Sequence, residues 1–254
     1  MMNTLAVAGT AGNTAAGGGE PADADESAET QETLESAVLA RLEPAGVSGG
    51  GSWQQRKSAR TRIAILEAAI RCLAEKGYAN TTTKTVASMA EVSRGAMLHH
   101  YPTKKALIEQ AIAWTFFKRM ERNFREFRSL SEAERRNEMA GVTLYWKNVN
   151  TLEYRASLEL CMAARCDDEL RGILEPKAAE FEEVLLAELP RVFPEWADIP
   201  EQLTLANDLV IAALDGLLIN QIKWGDTDRA EKVRKLVGRV VLLLSMEQIR
   251  AGDL

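Results

Sequence analysis

The stretch from Thr61 to Lys105, TRIAILEAAIRCLAEKGYANTTTKTVASMAEVSRGAMLHHYPTKK, decides how this chain folds. Its first part carries an apolar stripe at helical spacing, made of Ile63, Leu66, Ile70 and Leu73. This spacing predicts an amphipathic helix. Gly77 then ends the helix, because glycine readily takes the left-handed conformation that follows a last helical turn.

Two short helices are predicted next. The run from Asn80 to Thr83 supplies side-chain oxygens that can cap a helix of about two turns. Ser93 is a suitable N-cap for a third helix from Arg94 to His100, which ends before Pro102. Thr103 can then cap a longer helix. The stretch therefore predicts three helices joined by tight turns.

A helix, a short turn and a second helix are typical of units in which the second helix enters the major groove of DNA. Arg94 stands at the exposed start of that second helix, where it could contact a base or a phosphate. The pattern alone is equally compatible with a small helical bundle whose basic residues only keep it soluble. Charge distribution favours DNA binding.

The chain has a formal net charge of −6, but the charge is unevenly distributed. Residues 1–50 carry 8 acids and 1 base, residues 51–105 carry 3 acids and 10 bases, and residues 106–254 carry 26 acids and 20 bases. All of the positive excess therefore lies in the segment that has the docking geometry. A basic segment on an acidic chain predicts binding to nucleic acid through that segment.

The residues of this segment resemble the DNA-binding domain of TetR/AcrR bacterial transcriptional regulators. The resemblance rests on Gly77-Tyr78, Thr81-Thr82, Val92 to Gly95, His99 to Tyr101 and Thr103 to Lys105. It implies an all-α fold of about nine helices, with an N-terminal helix-turn-helix domain and a C-terminal helical bundle for ligand binding and dimerisation. It also implies DNA contacts from Thr83, Lys84, Ser93, Arg94, Gly95, Ala96, Leu98, His99, His100 and Lys104.

Three residues depart from the family's usual pattern. Glu91 stands at a turn position where glycine is usual, so its backbone is expected to be strained and its carboxylate to lie near the DNA face. Ala96 and Leu98 replace a hydroxyl residue and a tyrosine. Apolar side chains at these positions can contact thymine methyl groups, so the departures concern sequence preference. They also motivate an alternative, an all-helical sensor or scaffold dimer that has lost sequence-specific DNA binding.

Composition divides the chain into three parts. Residues 1–52 are rich in Ala, Gly, Thr and Glu and are expected to form a disordered acidic tail, with a transient helix possible at about 27–43. Residues 53–105 form the DNA-binding domain, and residues 106–254 form the regulatory domain, with a connector helix from about 103. The N-terminus lacks the features of a secretory signal, and no uninterrupted apolar run is long enough to span a bilayer, which indicates a cytoplasmic protein without a membrane partner.

Beyond residue 105 the chain is predicted to continue as helices at about 103–128, 132–149, 152–170, 176–192, 201–224 and 228–249. The last two are the most apolar, and each stripe is wider than an ordinary amphipathic face. The resemblance implies that this pair forms a homodimer interface, to which Gly216 and Gly238 could allow close approach. The residues assigned to it are Leu209, Ala213, Leu217, Val237, Val241 and Leu244. The alternative is that both are core helices.

The middle helices carry aromatic residues and methionines that could line a cavity for a small molecule. The candidate lining residues are Tyr145, Trp146, Tyr154, Leu158, Met162 and Phe181. Arg155, Glu159 or Arg165 could serve as polar anchors. Such a stripe is more often core than pocket, and the sequence does not reveal the ligand's chemistry.

Catalytic and metal-binding patterns are missing from the sequence. His99 and His100 are the only histidines, and being adjacent they point about 100° apart on a helix. Cys72, Cys161 and Cys166 lack metal-type spacing and are expected to be buried thiols. We therefore expect no enzyme activity, no cofactor and no metal. The sequence predicts a ligand-responsive repressor that binds a palindromic double-stranded DNA operator as a dimer.

Overall fold

The computed structural model describes residues 33, 35–48, 51–135, 137, 139–225 and 228–246, without the side chain of Trp224. Residues 1–37 form one unit, of which residues 33 and 35–37 are helical. Residues 38–254 form a second unit. The described residues contain helices and no strand, so the predicted all-α class is confirmed.

The helices of the second unit follow one another with short connections. Residues 38–42 are helical, and a short 3₁₀ helix, Pro194–Trp196, follows α8. The numbered α-helices are α1 (Trp53–Asn80), α2 (Thr83–Met89), α3 (Arg94–His100), α4 (Lys104–Ser129), α5 (Glu132–Arg135), α6 (Ala140–Val149), α7 (Leu152–Ala164), α8 (Asp168–Val192), α9 (Pro200–Trp224) and α10 (Asp228–Ser245).

Helix α1 changes direction at Gly77, where the backbone leaves the helical region with φ of 80° and ψ of 165°. The regular helix therefore ends where the sequence predicted. Leu66, Ile70 and Leu73 of the predicted stripe are buried. They join a continuous core with side chains from α2, α3, α4, α7 and α8. Helix α1 packs mainly against α7, so the DNA-binding segment and the rest of the chain share this core.

The boundary between α7 and α8 differs from the prediction. We expected one helix to run to about 170 and the next to begin at Pro176. Instead α7 ends at Ala164, and Pro176 lies inside α8. The reason is Asp167, whose Oδ1 accepts a hydrogen bond from the backbone N–H of Leu170 at 2.9 Å and so caps α8. The predicted 132–149 helix is likewise divided, into α5 and α6.

Part of the predicted tail is folded. Residues 38–42 are helical, and Leu42 and Val47 are buried in the core, which differs from the disorder predicted for 1–52. Arg62 on α1 donates a hydrogen bond to the carbonyl of Gly46 at 3.0 Å. These apolar and polar contacts offset the entropy cost of ordering the segment. Residues 1–32, 34, 49 and 50 lie outside the described residues.

A second, smaller core joins α6, α9 and α10. Its buried members are Val142, Val210, Leu214, Leu217, Ala230 and Val237. Among the described residues, the part of α9 from Pro200 to Lys223 is long and apolar enough to cross a membrane, judged by length and composition alone. The sequence predicted no apolar run of that length. In its most apolar window 33% is buried in the subunit, and Ile219 and Ile222 are exposed.

Candidate nucleic-acid interface and ligand cavity

Side-chain caps fix the starts of the helices in the candidate DNA-binding unit. Thr82 Oγ1 accepts a hydrogen bond from the Thr85 amide, and Ser93 Oγ accepts one from the Ala96 amide, both at 3.1 Å. Thr103 caps α4 in the same way. Each cap satisfies an amide that would otherwise lack a partner at the helix start. The predicted caps are therefore present, and they set the angles at which α2, α3 and α4 leave their turns.

Helix α3 presents one face to the core and another to solvent. Met97 is fully buried and anchors the helix, while Arg94, Gly95, Leu98 and His99 are exposed. Ala96 is half-buried. Ser93 and Lys84 are exposed, and Thr83 is half-buried. A short helix with an exposed basic start and an anchored inner face has the geometry that a recognition helix needs.

The turn between α2 and α3 is strained at Glu91. Its φ is 56°, and it is the one non-glycine with positive φ among the residues the structure describes. The turn is held by the amide of Glu91, which donates to Ser88 O, and by the amide of Val92, which donates to Ala87 O. A side chain in this left-handed conformation costs about 1–2 kcal/mol. Glu91, which stands where the family usually has glycine, therefore strains the backbone as the sequence predicted.

The end of α3 is partly withdrawn from solvent. His100 is half-buried, and its Nδ1 has no hydrogen-bond partner among the described residues. Burial lowers the pKa of His100, and the neighbouring positive charges of Arg62 and His99 lower it further. Burial also raises the pKa of Tyr101 to about 12. His100 is thus less accessible to DNA than His99.

Lys104 is engaged inside the subunit. Its Nζ donates a hydrogen bond to the carbonyl of Tyr78 at 2.9 Å and lies 4.0 Å from the centre of the Tyr78 ring. Burial lowers the pKa of Lys104, although the Asp167 carboxylate acts against this shift. Lys104 therefore ties the end of α1 to the start of α4, with two N–H donors left for other acceptors. Its neighbour Lys105 pairs on the surface with Glu169 at 2.7 Å.

A cavity of about 450 Å³ lies among α4, α6, α8, α9 and α10. Most of its wall is apolar, and Tyr145 and Phe181 of the predicted set line it. The other four predicted residues, Trp146, Tyr154, Leu158 and Met162, are not among the lining residues. Trp146 stacks under the Arg234 guanidinium, Met162 is 50% exposed, and Tyr154 lies behind the wall, where its hydroxyl is bonded to that of Tyr145. Of the predicted anchors, Glu159 instead accepts a hydrogen bond from the Tyr78 amide at 2.7 Å.

A partly buried hydrogen-bond network lies against the cavity wall, through the lining residue Tyr145. The hydroxyls of Tyr145 and Tyr154 both donate to Oδ1 of Asp215, with a Tyr145 distance of 2.8 Å. Burial and the Asp215 carboxylate raise the pKa of Tyr145. Burial and the neighbouring Tyr145 raise the pKa of Tyr154. Both phenols therefore stay neutral at physiological pH and act as hydrogen-bond donors to the half-buried Asp215.

The predicted dimer residues separate into two groups. Leu217, Val237 and Leu244 are buried within the subunit, so they have no surface to offer a partner. Gly238 allows close packing within the subunit and not between subunits, because a side chain there would clash with the Met139 sulfur. Leu209, Ala213 and Val241 are half-buried. The exposed apolar residues of α9 and α10, called the open face here, include Ala212, Ile219, Ile222 and Leu236, and the half-buried Gly216 lies one turn from Ala212.

Comparison with known proteins identifies the chain. The model of the bacterial tetR family of regulatory proteins matches residues 65–111, and the model of the tetracyclin repressor-like C-terminal domain matches residues 130–242. The chain belongs to the TetR family. It is a DNA-binding transcriptional regulator, and members of this family act by binding DNA and not as enzymes.

Individual relatives agree with this assignment. The HTH-type transcriptional regulator CymR of Pseudomonas putida is 26% identical over 189 residues, which cover 71% of this chain and 89% of CymR. A putative regulator from Saccharomonospora viridis, solved in complex with choline, has a TM-score of 0.54 at 19% identity, covering 72% of this chain and 96% of its own. A putative TetR-family regulator from Rhodococcus sp. has a TM-score of 0.53 at 16% identity, covering 73% and 99%. The two structures share the fold.

Several polar residues of the TetR-family cavity were missed in the sequence analysis. Arg119 and Asn123 are one turn apart on α4, and Arg135 and Asn207 come from α5 and α9. Helical spacing could have paired Arg119 with Asn123. Arg135 and Asn207 carry no such signal, because only the fold places both on the wall of one cavity.

Within the described residues, no group of three His, Cys, Asp or Glu side chains could hold a metal ion. Cys72 is buried as expected. Cys161 and Cys166 are exposed, which corrects the expectation that all three are buried.

Proposed function

We propose that this TetR-family regulator is a homodimeric, cytoplasmic repressor that binds a palindromic operator and is released by a small molecule. One observation carries the proposal: α4 connects the two sites. The helix begins at Lys104, four residues after the end of α3, and its residues Arg119, Asn123 and Phe127 line the cavity. A ligand that displaces α4 would therefore also move α3.

The mechanism follows from two states of the dimer. In the DNA-bound state, two α3 helices would occupy successive major grooves about 34–36 Å apart. A ligand that fits the cavity better in the other state would shift the population away from DNA binding. The contacts between Tyr78 and Glu159 and between Tyr78 and Asp167 would transmit the motion, because they join α1 to α7 and to the cap of α8.

The DNA contacts divide by position. Arg94, Leu98 and His99 would reach base edges, since they are exposed on α3. Ser93, Gly95 and the half-buried Ala96 would let the helix start approach the backbone. Thr83, Lys84 and the free donors of Lys104 would contact phosphates, and His100 would position the end of α3.

The open face of α9 and α10 would form the dimer interface. Ile222 is 83% exposed and Leu236 is 61% exposed, which is unusual for large apolar side chains on long helices. A side chain added at Gly216 would meet no atom within 4 Å, so a partner helix could approach closely there. The choline complex of the Saccharomonospora viridis relative supports a small-molecule effector for the fold.

Selection of bound fragments from random DNA by the purified full chain tests the proposal. We expect an imperfect inverted repeat whose half-sites lie about one helical turn, or a multiple of it, apart. Isolated half-sites would contradict dimeric binding. If no sequence is enriched at low salt, DNA readout has been lost, which is the sensor or scaffold alternative.

A charged pair of substitutions tests the dimer. Ile219→Asp with Leu236→Asp should give a monomer in sedimentation experiments and abolish operator binding, because it places two carboxylates in the apolar interface. Leu152→Asp is the matched control, because Leu152 is 42% exposed on α7, outside this face. A dimeric double variant would refute the assigned interface.

A further inference from the structure

Resting on the proposed effector role of the cavity, we infer that its ligand is an apolar carboxylate, whose anionic group binds to Arg135 and Asn207. The inference starts from two buried nitrogens. Arg135 Nε and Asn207 Nδ2 have no hydrogen-bond partner among the described residues, and both side chains line the cavity. Buried donors without partners are costly, so a ligand that supplies acceptors would remove the cost.

The remaining contacts of Arg135 leave it available. Its Nη2 donates to the carbonyl of Phe127 at 3.4 Å, a long distance for a hydrogen bond. This contact places the guanidinium beside Phe127, which also lines the cavity. An arginine binds a carboxylate through two parallel N–H groups, which fits a planar anionic head group.

The electrostatics of the wall also favour an anion. Arg119 and Arg135 are the cationic lining residues, and Glu195 is the acidic one. Glu195 is exposed, so water screens its charge. Asp215 lies behind Tyr145 and is already bonded to two hydroxyls. Counted over its described lining residues, the cavity therefore carries one net positive charge, from two arginines and one glutamate.

Arg119 adds positive charge without acting as the main anchor. Its guanidinium lies 4.8 Å from the Phe181 ring centre and 4.9 Å from that of Tyr154, and its Nη1 donates to Ser157 Oγ at 3.1 Å. These contacts hold it in place at the other end of the cavity. Arg119 and Phe127 are eight residues apart on α4, which corresponds to about 12 Å.

The body of the ligand is defined by the apolar wall. Phe181, Leu185 and Leu189 lie along one face of α8, at successive turns. Leu144 on α6 and Val210 on α9 complete the wall. An aromatic or medium-chain aliphatic body would bury its surface against these side chains, while the carboxylate would satisfy the two free donors.

Matched acids, amides and amines test the ligand class on the intact dimer. The probes are octanoate, octanamide and octylammonium, with naphthalene-2-carboxylate and its amide as the aromatic pair. We expect either acid to raise Tm and to bind in calorimetry at least tenfold more tightly than its amide. Equal or tighter binding of the amide or the amine, or no binding of either acid at millimolar concentration, would overturn the inference.

Substitutions then locate the carboxylate. Asn207→Leu removes the buried amide, so it should keep or raise Tm without ligand and weaken acid binding by about ten- to a hundredfold. Arg135→Met should weaken it similarly, while Arg125→Met, an exposed arginine on α4, should not. If the Arg135→Met variant does not fold, acid binding by the Asn207→Leu variant alone decides where the carboxylate binds. Undiminished acid binding by Asn207→Leu would place the anion elsewhere and refute the assignment.

DNA binding is measured separately on the same samples. Operator binding with no preference for acids would refute the carboxylate inference and leave the regulator proposal standing. Acid binding that depends on Asn207, in a protein that selects no DNA, would support the inference and refute the repressor proposal.

Discussion

The DNA-binding unit and the α6–α9–α10 region are stabilised in different ways. In the first, Thr82, Ser93 and Thr103 each cap a helix, so short-range hydrogen bonds define the helix starts. In the second, the N-cap residues of α6 and α9 are Met139 and Ile199, and neither makes a side-chain cap hydrogen bond among the described residues. Their positions depend on burial against one another. Local sequence signals therefore determine the structure of the DNA-binding unit, called the reader below. Long-range packing determines the structure of the region that holds the cavity and the proposed dimer interface.

The largest expected effect tests the packed region. Leu214→Ala removes a fully buried side chain from the smaller core and should lower the free energy of unfolding by about 3 kcal/mol. Chemical denaturation measures it. Ile222→Ala on the same helix is the control and should change monomer stability little, since Ile222 is 83% exposed. Similar losses from both variants would show that α9 is not packed as described.

The next effect concerns the reader. Arg94→Ala should weaken binding to the selected operator by about 1–3 kcal/mol and relax preference at particular base pairs, because Arg94 is exposed at the start of α3. Lys84→Ala should weaken binding about equally on all sequences and reduce the salt slope by about 1. Fluorescence anisotropy over a salt series distinguishes them. The same loss of preference from both would contradict this division.

Lys104→Ala should combine two effects. A lysine that only contacted phosphate would change DNA binding alone, but the bond of Lys104 to the Tyr78 carbonyl adds a structural role. We expect a smaller salt slope together with a lower Tm. A salt-slope change with unaltered Tm would show that the internal contact contributes nothing to stability.

A smaller effect, of opposite sign, tests the strained turn. Glu91→Gly should raise the free energy of unfolding by up to about 1 kcal/mol, because glycine adopts positive φ without a steric cost. Glu91→Gln removes the charge and keeps the strain, so it should leave stability nearly unchanged. Thermal unfolding measures both. A stabilisation by Gln equal to that by Gly would assign the effect to charge.

The smallest effect is a pH dependence at the end of α3. The pKa of His100 is lower in the folded state than its ordinary value of about 6.5 in the unfolded state. As pH falls through this value, the unfolded state therefore gains the proton first and is stabilised relative to the folded state. The contribution of neutral His100 to the free energy of unfolding is therefore fully present above about pH 6.5 and is lost as pH falls below it. His100→Gln should lose less stability than the parent between pH 7 and 5. Parallel pH profiles of His100→Gln and the parent would contradict this origin.

The sequence predicted the reader closely and the cavity poorly. The bounds of α3, the Ser93 cap and the strain at Glu91 could be read directly, because each depends on residues within one turn of each other. The cavity wall could not, since Arg135 and Asn207 lie 72 positions apart in the chain and line the same cavity only in the fold. Which apolar residues of α9 and α10 stay open was also beyond a periodicity argument.

By itself the sequence determined the helical class, the three-helix reader and its basic charge, because periodicity, caps and composition act over short distances. The tertiary structure alone decided that Leu217, Val237 and Leu244 are buried while Ile222 and Leu236 are open. It also decided which donors of the cavity lack partners. The physical reason is that burial and hydrogen-bond satisfaction depend on which helices pack together, and a stripe that is apolar on several sides does not specify its neighbours.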